Sequence, residues 1–119
     1  MLSYEINGSI LTLRASGTTT LDERKPVFDA IRADAAVPDN ALILIDAREV
    51  FIGMSEPVVV ERLRVLLDQL GGKLGRRCAL VIDPGGADQA EIFKTEAPAF
   101  GLRVSLFTNE QLARDWLNQ

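Results

Sequence analysis

Two aspartates each close an apolar run of the kind expected for a buried strand. Asp46 follows the run 41–45, and Asp83 follows the run 78–82. Continuous apolar runs are typical of parallel sheets covered on both faces, and adjacent parallel strands end at the same edge. Two carboxylates at one edge could act as acid and base or hold a divalent cation. We favour the alternative that each caps a loop by accepting backbone amides, because nothing in the sequence marks a third ligand.

The residue types needed for other common catalytic sites are missing. The chain has no histidine, which excludes Ser–His and Cys–His catalysis and histidine-based zinc sites. The one cysteine, Cys78, begins an apolar run, so we predict a small core residue rather than a nucleophile. The glycine-rich segment 71–75 lacks the order of a phosphate-binding loop and is interpreted as a helix stop at Gly71-Gly72. The sequence therefore predicts a protein that is not an enzyme and has no metal site and no cofactor.

Composition and charge narrow the class of partner. The chain has 119 residues with 13 basic and 17 acidic side chains, a formal net charge of −4. This balance argues against nucleic acid as a partner, because phosphate neutralisation needs a basic excess on one face. No apolar run approaches the roughly 18 residues of a membrane span, so stable membrane insertion is not predicted. A single cysteine cannot form an internal disulfide and suits a reducing compartment, so we predict a cytoplasmic protein. The length of 119 residues fits one domain, which we predict to span 1–119.

Hydrophobic periodicity predicts a hairpin followed by alternating helices and strands. Residues 2–6 and 9–15 form the hairpin, with its turn at Asn7-Gly8 because both turn positions need positive φ. The first helix is predicted to begin near Asp22, with Pro26 in its first turn, since proline further along would clash with the preceding turn. Its buried face is formed by Phe28, Ile31 and Ala35.

The second half of the chain continues the alternation. A helix over 56–70 follows the central strand 41–46 and presents one apolar stripe, Val59, Leu63, Leu66, Leu67 and Leu70. The remaining elements are a strand over 78–83, a helix over 88–97, a strand over 102–107 and a last helix. That helix is predicted to be capped by Thr108 with Gln111 and to bury Leu112, Ala113, Trp116 and Leu117. The predicted fold class is α/β, a mostly parallel sheet of about five strands with an N-terminal β-hairpin and about four helices.

These elements resemble the STAS domain family, the anti-sigma-factor-antagonist fold, and its SpoIIAA-like branch. Four features carry the resemblance, and together they span nearly the whole chain. They are Gly17 after the hairpin with Leu21-Asp22 beyond it, the strand ending at Asp46 followed by Val50, Ser55 at a helix start, and the tail from Gly101-Leu102 to Trp116-Leu117. The resemblance implies a non-enzymatic regulatory module that binds a protein partner.

Within this resemblance, Ser55 falls where antagonist members carry a phosphorylatable serine, which implies a partner-binding site at Gly53, Met54 and Ser55. A phosphate there would carry about −1.5 to −2 charges and face the positive end of a helix dipole. The alternative is that Ser55 is a plain N-cap, one of the commonest uses of serine. Glu56 favours that alternative, because it already places negative charge on the first turn and would repel a phosphate. Antagonist members usually have Asp before the serine and Ser or Gly after it, whereas Met54 and Glu56 stand here.

Two further hypotheses stay open beside the interaction module. SpoIIAA-like sheets resemble lipid-binding folds of the CRAL-TRIO type, which implies a small apolar ligand between helices and sheet. The candidate lining residues, or alternatively plain core residues, are Phe28, Phe51, Phe93 and Phe100. The other hypothesis is an enzyme that uses Asp46 and Asp83. Trp116 with Leu112 either packs in the core or contributes to an apolar pocket or a homodimer surface.

Overall fold

Five strands form one sheet in which each strand neighbours the next along the chain. The structure is a computed structural model that describes residues 2–16, 21–51, 53–70 and 74–119. β1 and β2 are antiparallel, and the other three pairs are parallel. The predicted α/β class with an N-terminal hairpin is therefore confirmed. The strands are β1 (Leu2–Asn7), β2 (Ile10–Ala15), β3 (Ala41–Asp46), β4 (Leu74–Val81) and β5 (Arg103–Phe107), and the helices described are α1 (Leu21–Ala33), α2 (Glu56–Leu70), α3 (Ala87–Glu96) and α4 (Glu110–Leu117).

The helices divide unequally between the two faces of the sheet. Right-handed crossovers between successive parallel neighbours place their helices on the same side. Accordingly α1, α2 and α3 pack on one face, the three-helix face, while α4 packs on the other, the α4 face. The buried residues of α2 that contact the core of the three-helix face are Val59, Leu63, Leu66 and Leu70. This confirms the predicted helix 56–70 and its stripe, with Leu67 partly buried beside it.

The N-terminal hairpin is confirmed, but its turn lies one residue further along than predicted. Asn7 pairs with Ile10, so the two turn residues are Gly8 and Ser9. Gly8 has φ +62°, and Ser9 is not among the residues with positive φ. A glycine at the first turn position alone matches a type II′ turn, whose twist suits the flanking strands as well as the predicted type I′ turn does.

Two predictions about α1 were wrong. Pro26 lies inside the helix rather than in its first turn, because the helix already begins at Leu21. Ala35 lies beyond the end of the helix and is exposed, so only Phe28 and Ile31 of the predicted face are buried. The proposed helix stop at Gly71-Gly72 and the family position Gly17 fall outside the described residues.

β4 begins before the apolar run that predicted it and ends before Asp83. It starts at Leu74 and ends at Val81, so Gly75 is a strand residue and not part of a helix stop. A Cβ atom on Gly75 would lie 2.4 Å from the Ala41 carbonyl oxygen, so only glycine allows this close approach to β3. The register between β3 and β4 shifts between Ala41 and Ile43 at the same place. Local periodicity cannot show such backbone proximity.

α4 differs from its prediction at its first turn and on its buried face. Its N-cap is Asn109, whose side-chain oxygen accepts the amides of Gln111 and Leu112 at 2.8 and 3.1 Å, so the Thr108 capping box was wrong. Leu112 is 57% exposed, whereas Ala113 and Leu117 are buried against the sheet. Trp116 is half-buried, 5.8 Å from the Phe107 ring. Ala113 and Leu117 face the sheet because a small residue lets the helix approach it closely.

No described helix is both long enough and apolar enough to cross a membrane.

Candidate functional site

Asp46 ends β3 on the α4 face, where two arginines bind its carboxylate. Arg14 is its register partner on β2, and Arg14 Nη1 lies 3.3 Å from Asp46 Oδ2. Arg48, two residues on, places Nη2 2.7 Å from Oδ2 and Nε 2.9 Å from Oδ1. The hydrogen bond from the Arg48 side chain is the main reason that the pKa of Asp46 lies below its usual range. The carboxylate is thus ionised at neutral pH and occupied by protein cations.

Arg14 connects this strand end to β1 and α4. Besides Asp46 it binds Glu110 of α4 at 2.7 Å and Glu5 of β1 at 3.1 Å. The Arg14 hydrogen bond is the main cause that lowers the pKa of Glu110. The fully buried Thr12 hydroxyl, two residues back on β2, accepts a hydrogen bond from Arg114 of α4 at 3.2 Å. These ionic and polar contacts therefore fix α4 on the sheet, and we call Glu5, Arg14, Asp46, Arg48 and Glu110 the Arg14 network.

Asp83 lies at the same edge, two residues beyond the end of β4. Its carboxylate accepts the Gly85 amide at 2.8 Å and caps the short 3₁₀ helix Pro84–Gly86. This geometry fits the loop-capping interpretation of Asp83. Within the described ranges, no group of three or more Asp, Glu, Cys or His side chains is arranged to hold a metal ion.

A polar cleft of about 490 Å³ opens beside the Arg14 network. Its charged lining comes from Arg14, Asp46, Arg48 and Glu49, with Ser3, Ala15 and Ser16 completing the wall. Sequence reasoning identified Asp46 but missed both arginines. Arg14 could have been found from strand alternation, had the pairing of β2 with β3 been known.

The segment that leads from β3 to α2 is anchored by Phe51. Its ring is 3% exposed and meets Phe93 of α3 edge-on, with centroids 5.7 Å apart. Phe51 is therefore a core residue of the three-helix face. Gly53 follows with φ +73° and open space around the position of a Cβ, and the Met54 amide donates to the Phe51 carbonyl at 3.1 Å.

Ser55 is exposed at the start of α2. Its carbonyl accepts the Val59 amide at 3.0 Å, which begins the helix, but its hydroxyl makes no hydrogen bond with the described part of the chain. Pro57 has no amide to offer, so Val58 is the usual remaining donor to a capping side chain. Near Ser55 in the chain, Met54 is half-buried against the core and Val58 is 43% exposed in the first turn of α2.

A second, smaller pocket of about 80 Å³ lies at the same strand ends but on the three-helix face. Three of the four predicted phenylalanines line it, namely Phe28, Phe51 and Phe93. Phe100 is 48% exposed and does not, so that candidate was wrong. Nearby, Cys78 is fully buried, and burial raises the pKa of its thiol to about 12, which confirms a core residue and not a nucleophile.

Comparison with known proteins agrees with this architecture. A family model described as SpoIIAA-like matches residues 10–118, which cover β2 through α4. Searches of curated proteins and of solved structures find no match. The matched range contains the central strand with Asp46, the segment with Ser55 and the capped helix α4. The chain therefore belongs to the SpoIIAA-like family.

Proposed function

We propose that this chain is a non-enzymatic regulatory module that binds a protein partner through Gly53, Met54, Ser55 and the first turn of α2. Membership of the SpoIIAA-like family indicates a regulatory module like the anti-sigma-factor antagonists, a class that typically interacts with proteins. The finer assignment, which places the partner at these residues, is our own.

The observation that carries the assignment is the surface around the Ser55 hydroxyl. The hydroxyl is exposed and is not used as a helix cap within the described chain, so a capping role does not account for it. Val58, 43% exposed in the first turn, is a β-branched residue with modest helix propensity, and solvent exposure gives it no packing gain. Contact with a partner would bury it together with Met54.

The same surface supports regulation by phosphorylation of Ser55. An accessible hydroxyl is what a kinase needs, and a phosphate would add about −1.5 to −2 charges to the proposed surface that includes Met54 and Val58. Because Pro57 supplies no amide and Glu56 is negative, the phosphate would gain little from the helix start. It would therefore act by placing charge on the docking surface, which weakens an apolar contact or recruits an arginine of the partner.

The test is to capture partners from the source cell and then measure the affinity of the captured protein for three variants. Met54→Arg and Ser55→Asp change the proposed surface, and Leu112→Arg places the same charge on an exposed leucine of α4 as a matched control. We expect Met54→Arg to weaken binding by about tenfold or more, since a charge in an apolar interface costs at least about 1.4 kcal/mol. A partner that binds all three variants as tightly as wild type would show that the site lies elsewhere.

We further propose that the pocket at Phe28, Phe51 and Phe93 binds a small apolar ligand. The supporting observation is that a pocket exists where three of the predicted phenylalanines meet and that it opens to the surface. Native mass spectrometry of protein from its own source is the direct test. A mass equal to the bare chain under gentle conditions, unchanged after small apolar compounds are added, would contradict this second function.

A further inference from the structure

β5 is an edge strand of the sheet, and its outer side pairs with no strand in the described part of the chain. Along a strand, successive residues direct their backbone N–H and C=O groups to opposite sides. The Phe107 carbonyl accepts the Ile82 amide at 2.8 Å, so the backbone groups of Phe107 and Ser105 face β4. Those of Val104 and Leu106 therefore face outward, where a further strand could bind them.

The two edge strands of the sheet differ in how they are protected against such pairing. Natural proteins commonly place charged residues on edge strands, because a charge opposes the addition of another strand. β1 carries Glu5 within the strand, and α1 packs against it. The charge on β5 is Arg103, at its first residue, and the strand continues as Val-Ser-Leu-Phe. The centre of β5 therefore has no charge that would repel a second strand.

An antiparallel pair of β5 strands from two copies has one register that uses the whole strand. Outward-facing residues must lie opposite each other, so Val104 lies opposite Leu106 of the second copy, and Ser105 lies opposite Ser105. Each Val104–Leu106 pair is of the hydrogen-bonded type, in which both residues donate and accept. The outer pair is Arg103 with Phe107, which keeps the arginines of the two copies at opposite ends. Any other antiparallel register is shifted and leaves part of β5 unpaired.

Arg103 and Phe107 share the α4 face of β5, where Trp116 lies beside both. The guanidinium carbon of Arg103 is 5.9 Å from the centre of the Trp116 ring, and the Phe107 ring is 5.8 Å from it. In the paired strands, Arg103 of one copy would lie against Phe107 of the other. Guanidinium groups stack favourably on aromatic rings, so the pairing is complementary in charge as well as in hydrogen bonds.

The two ends of β5 are also complementary to each other. Phe100, which is exposed, lies in the short 3₁₀ helix Ala97–Phe100 just before the strand. A mainly apolar pocket of about 260 Å³ lies at the opposite end, lined by Ile82, Leu106, Phe107, Thr108 and Leu112. Antiparallel pairing sets the beginning of each strand beside the end of the other. Phe100 of each copy would therefore approach the pocket of the other, and both exposed side chains, Phe100 and Leu112, would lose contact with water.

We propose that β5 is a homodimer interface, in which two copies of this chain join their sheets edge to edge about a two-fold axis at Ser105. The interface uses none of Gly53, Met54 and Ser55, so the inference does not rest on the partner-binding function, and a dimer would present that surface once per copy. One strand pair with an apolar contact at each end is a small interface. We therefore expect a weak dimer, with a dissociation constant of about 10–100 µM.

The first experiment uses the wild-type chain at increasing concentration. Sedimentation velocity should show a mass that rises from one chain at about 5 µM towards two chains at about 1 mM. Amide hydrogen exchange of ¹⁵N-labelled protein then identifies the paired strand. The Val104 and Leu106 amides should exchange about threefold more slowly at about 1 mM than at about 50 µM, because only the monomer leaves them open to water. The Ser105 amide faces β4 in both states and should change less.

The second experiment changes the residue at the two-fold axis. Ser105→Lys sets two lysines directly opposite each other, so the dissociation constant of the dimer should rise by about fivefold or more. Ser105→Thr keeps a neutral hydroxyl pair at the same position and should leave the constant within about threefold of wild type. Ser105 is only half-buried, and the amide spectrum of each variant shows directly whether the protein is folded.

Three results would overturn the inference. They are a wild-type chain that stays monomeric at about 1 mM, a dimer in which the Val104 and Leu106 amides exchange as fast as in dilute protein, and a dimer that Ser105→Lys does not weaken. Met54→Arg should dimerise as wild type does. Loss of partner binding in Met54→Arg and loss of dimerisation in Ser105→Lys are therefore separate results, and the failure of one leaves the other standing.

Discussion

Neighbouring residues at the end of β3 face two differently built sides of the molecule. Ile45 points to the three-helix face and lines the apolar pocket, whereas Asp46 points to the α4 face and lines the polar cleft. On the first side three helices bury an apolar core. On the second, one helix of eight residues is fixed by the Arg14 network and by Arg77, which donates to the Trp116 and Leu117 carbonyls at 3.1 and 2.7 Å.

The difference shows that the two faces of one sheet hold their helices by different interactions. A helix as short as α4 buries little apolar surface and would be marginal alone, so polar contacts specify where it docks. The three-helix face is stabilised by packing, and Phe51 anchors the segment that leads to Met54 and Ser55 in that core. Variants on the two faces should therefore respond differently, as the following predictions state from the largest effect to the smallest.

Leu63→Ala should give the largest loss of stability. Leu63 is fully buried in the centre of α2, so truncation removes apolar contacts and leaves a cavity on the three-helix face. We expect the free energy of unfolding to fall by about 2–5 kcal/mol in urea denaturation. Val58→Ala, on the exposed side of the same helix, serves as the control and should change it by less than about 0.5 kcal/mol. Similar losses for both would mean that α2 is not packed as described.

Arg14→Gln should destabilise the α4 face by a smaller amount. The change leaves Glu5, Asp46 and Glu110 without their shared cation, but Arg14 is 37% exposed, so solvent screens part of the effect. We expect a loss of about 1–2 kcal/mol that shrinks in 1 M NaCl. The exposed Arg64→Gln is the control. A loss that does not depend on salt would show that Arg14 acts through packing alone.

The Arg14 network should also determine how stability changes in acid. Asp46 and Glu110 have pKa values lowered from 3.8 and 4.5, so the unfolded chain binds their protons more readily than the folded one. Their contribution is complete above about pH 5 and is lost as the pH falls through the two lowered values. Urea titrations from pH 6 to 3 should show a shallower decline for Arg14→Gln than for wild type, chiefly through Glu110. Parallel curves would contradict the assigned ion pair.

Removing the side chains at the starts of α4 and α2 should give the smallest changes in the free energy of unfolding, and these two changes can be compared directly. Asn109→Ala removes a side chain that accepts two amides, so we expect a loss of about 1 kcal/mol. Ser55→Ala removes a hydroxyl that bonds to none of the described residues, so unfolding energy should stay within about 0.5 kcal/mol of wild type. Thermal and urea unfolding measure both. A loss near 1 kcal/mol for Ser55→Ala would restore the plain N-cap interpretation.

Features that depend on the periodicity of apolar residues within one helix or strand could be predicted from the sequence. Features that depend on which strands pair, and in which register, could not. The stripe of Val59, Leu63, Leu66 and Leu70 follows from helical spacing alone. The Arg14–Asp46 pair joins residues 32 apart in the chain, and only the register of β2 with β3 brings them together. The prediction that Leu112 is buried was wrong for a related reason. On α4, Leu112 and Trp116 form one stripe, and Ala113 and Leu117 form the stripe next to it. Local spacing does not say which of them meets the sheet.

The position of the candidate site was predictable, but its use was not. Apolar runs that end at Asp46 and resume at Val50 located the edge of the sheet and the start of α2. Whether the Ser55 side chain caps α2 depends on its rotamer and on which backbone amides of the first turn can donate to it. Pro57 has no backbone N–H and therefore removes one of these donors. Arg24 and Arg62, which also line the apolar pocket, were not predicted, because they belong to two helices that are distant in the sequence.

Amide hydrogen exchange of the chain, free and bound to its captured partner, tests the central claim most directly. If the partner docks at the start of α2, the backbone amides of residues 53–60 should exchange more slowly in the bound protein. The amides of α4 (Glu110–Leu117) should exchange at the same rate as in the free chain. Protection confined to α4 and the exposed side of β1, with the start of α2 exchanging as in the free chain, would contradict the proposed docking surface.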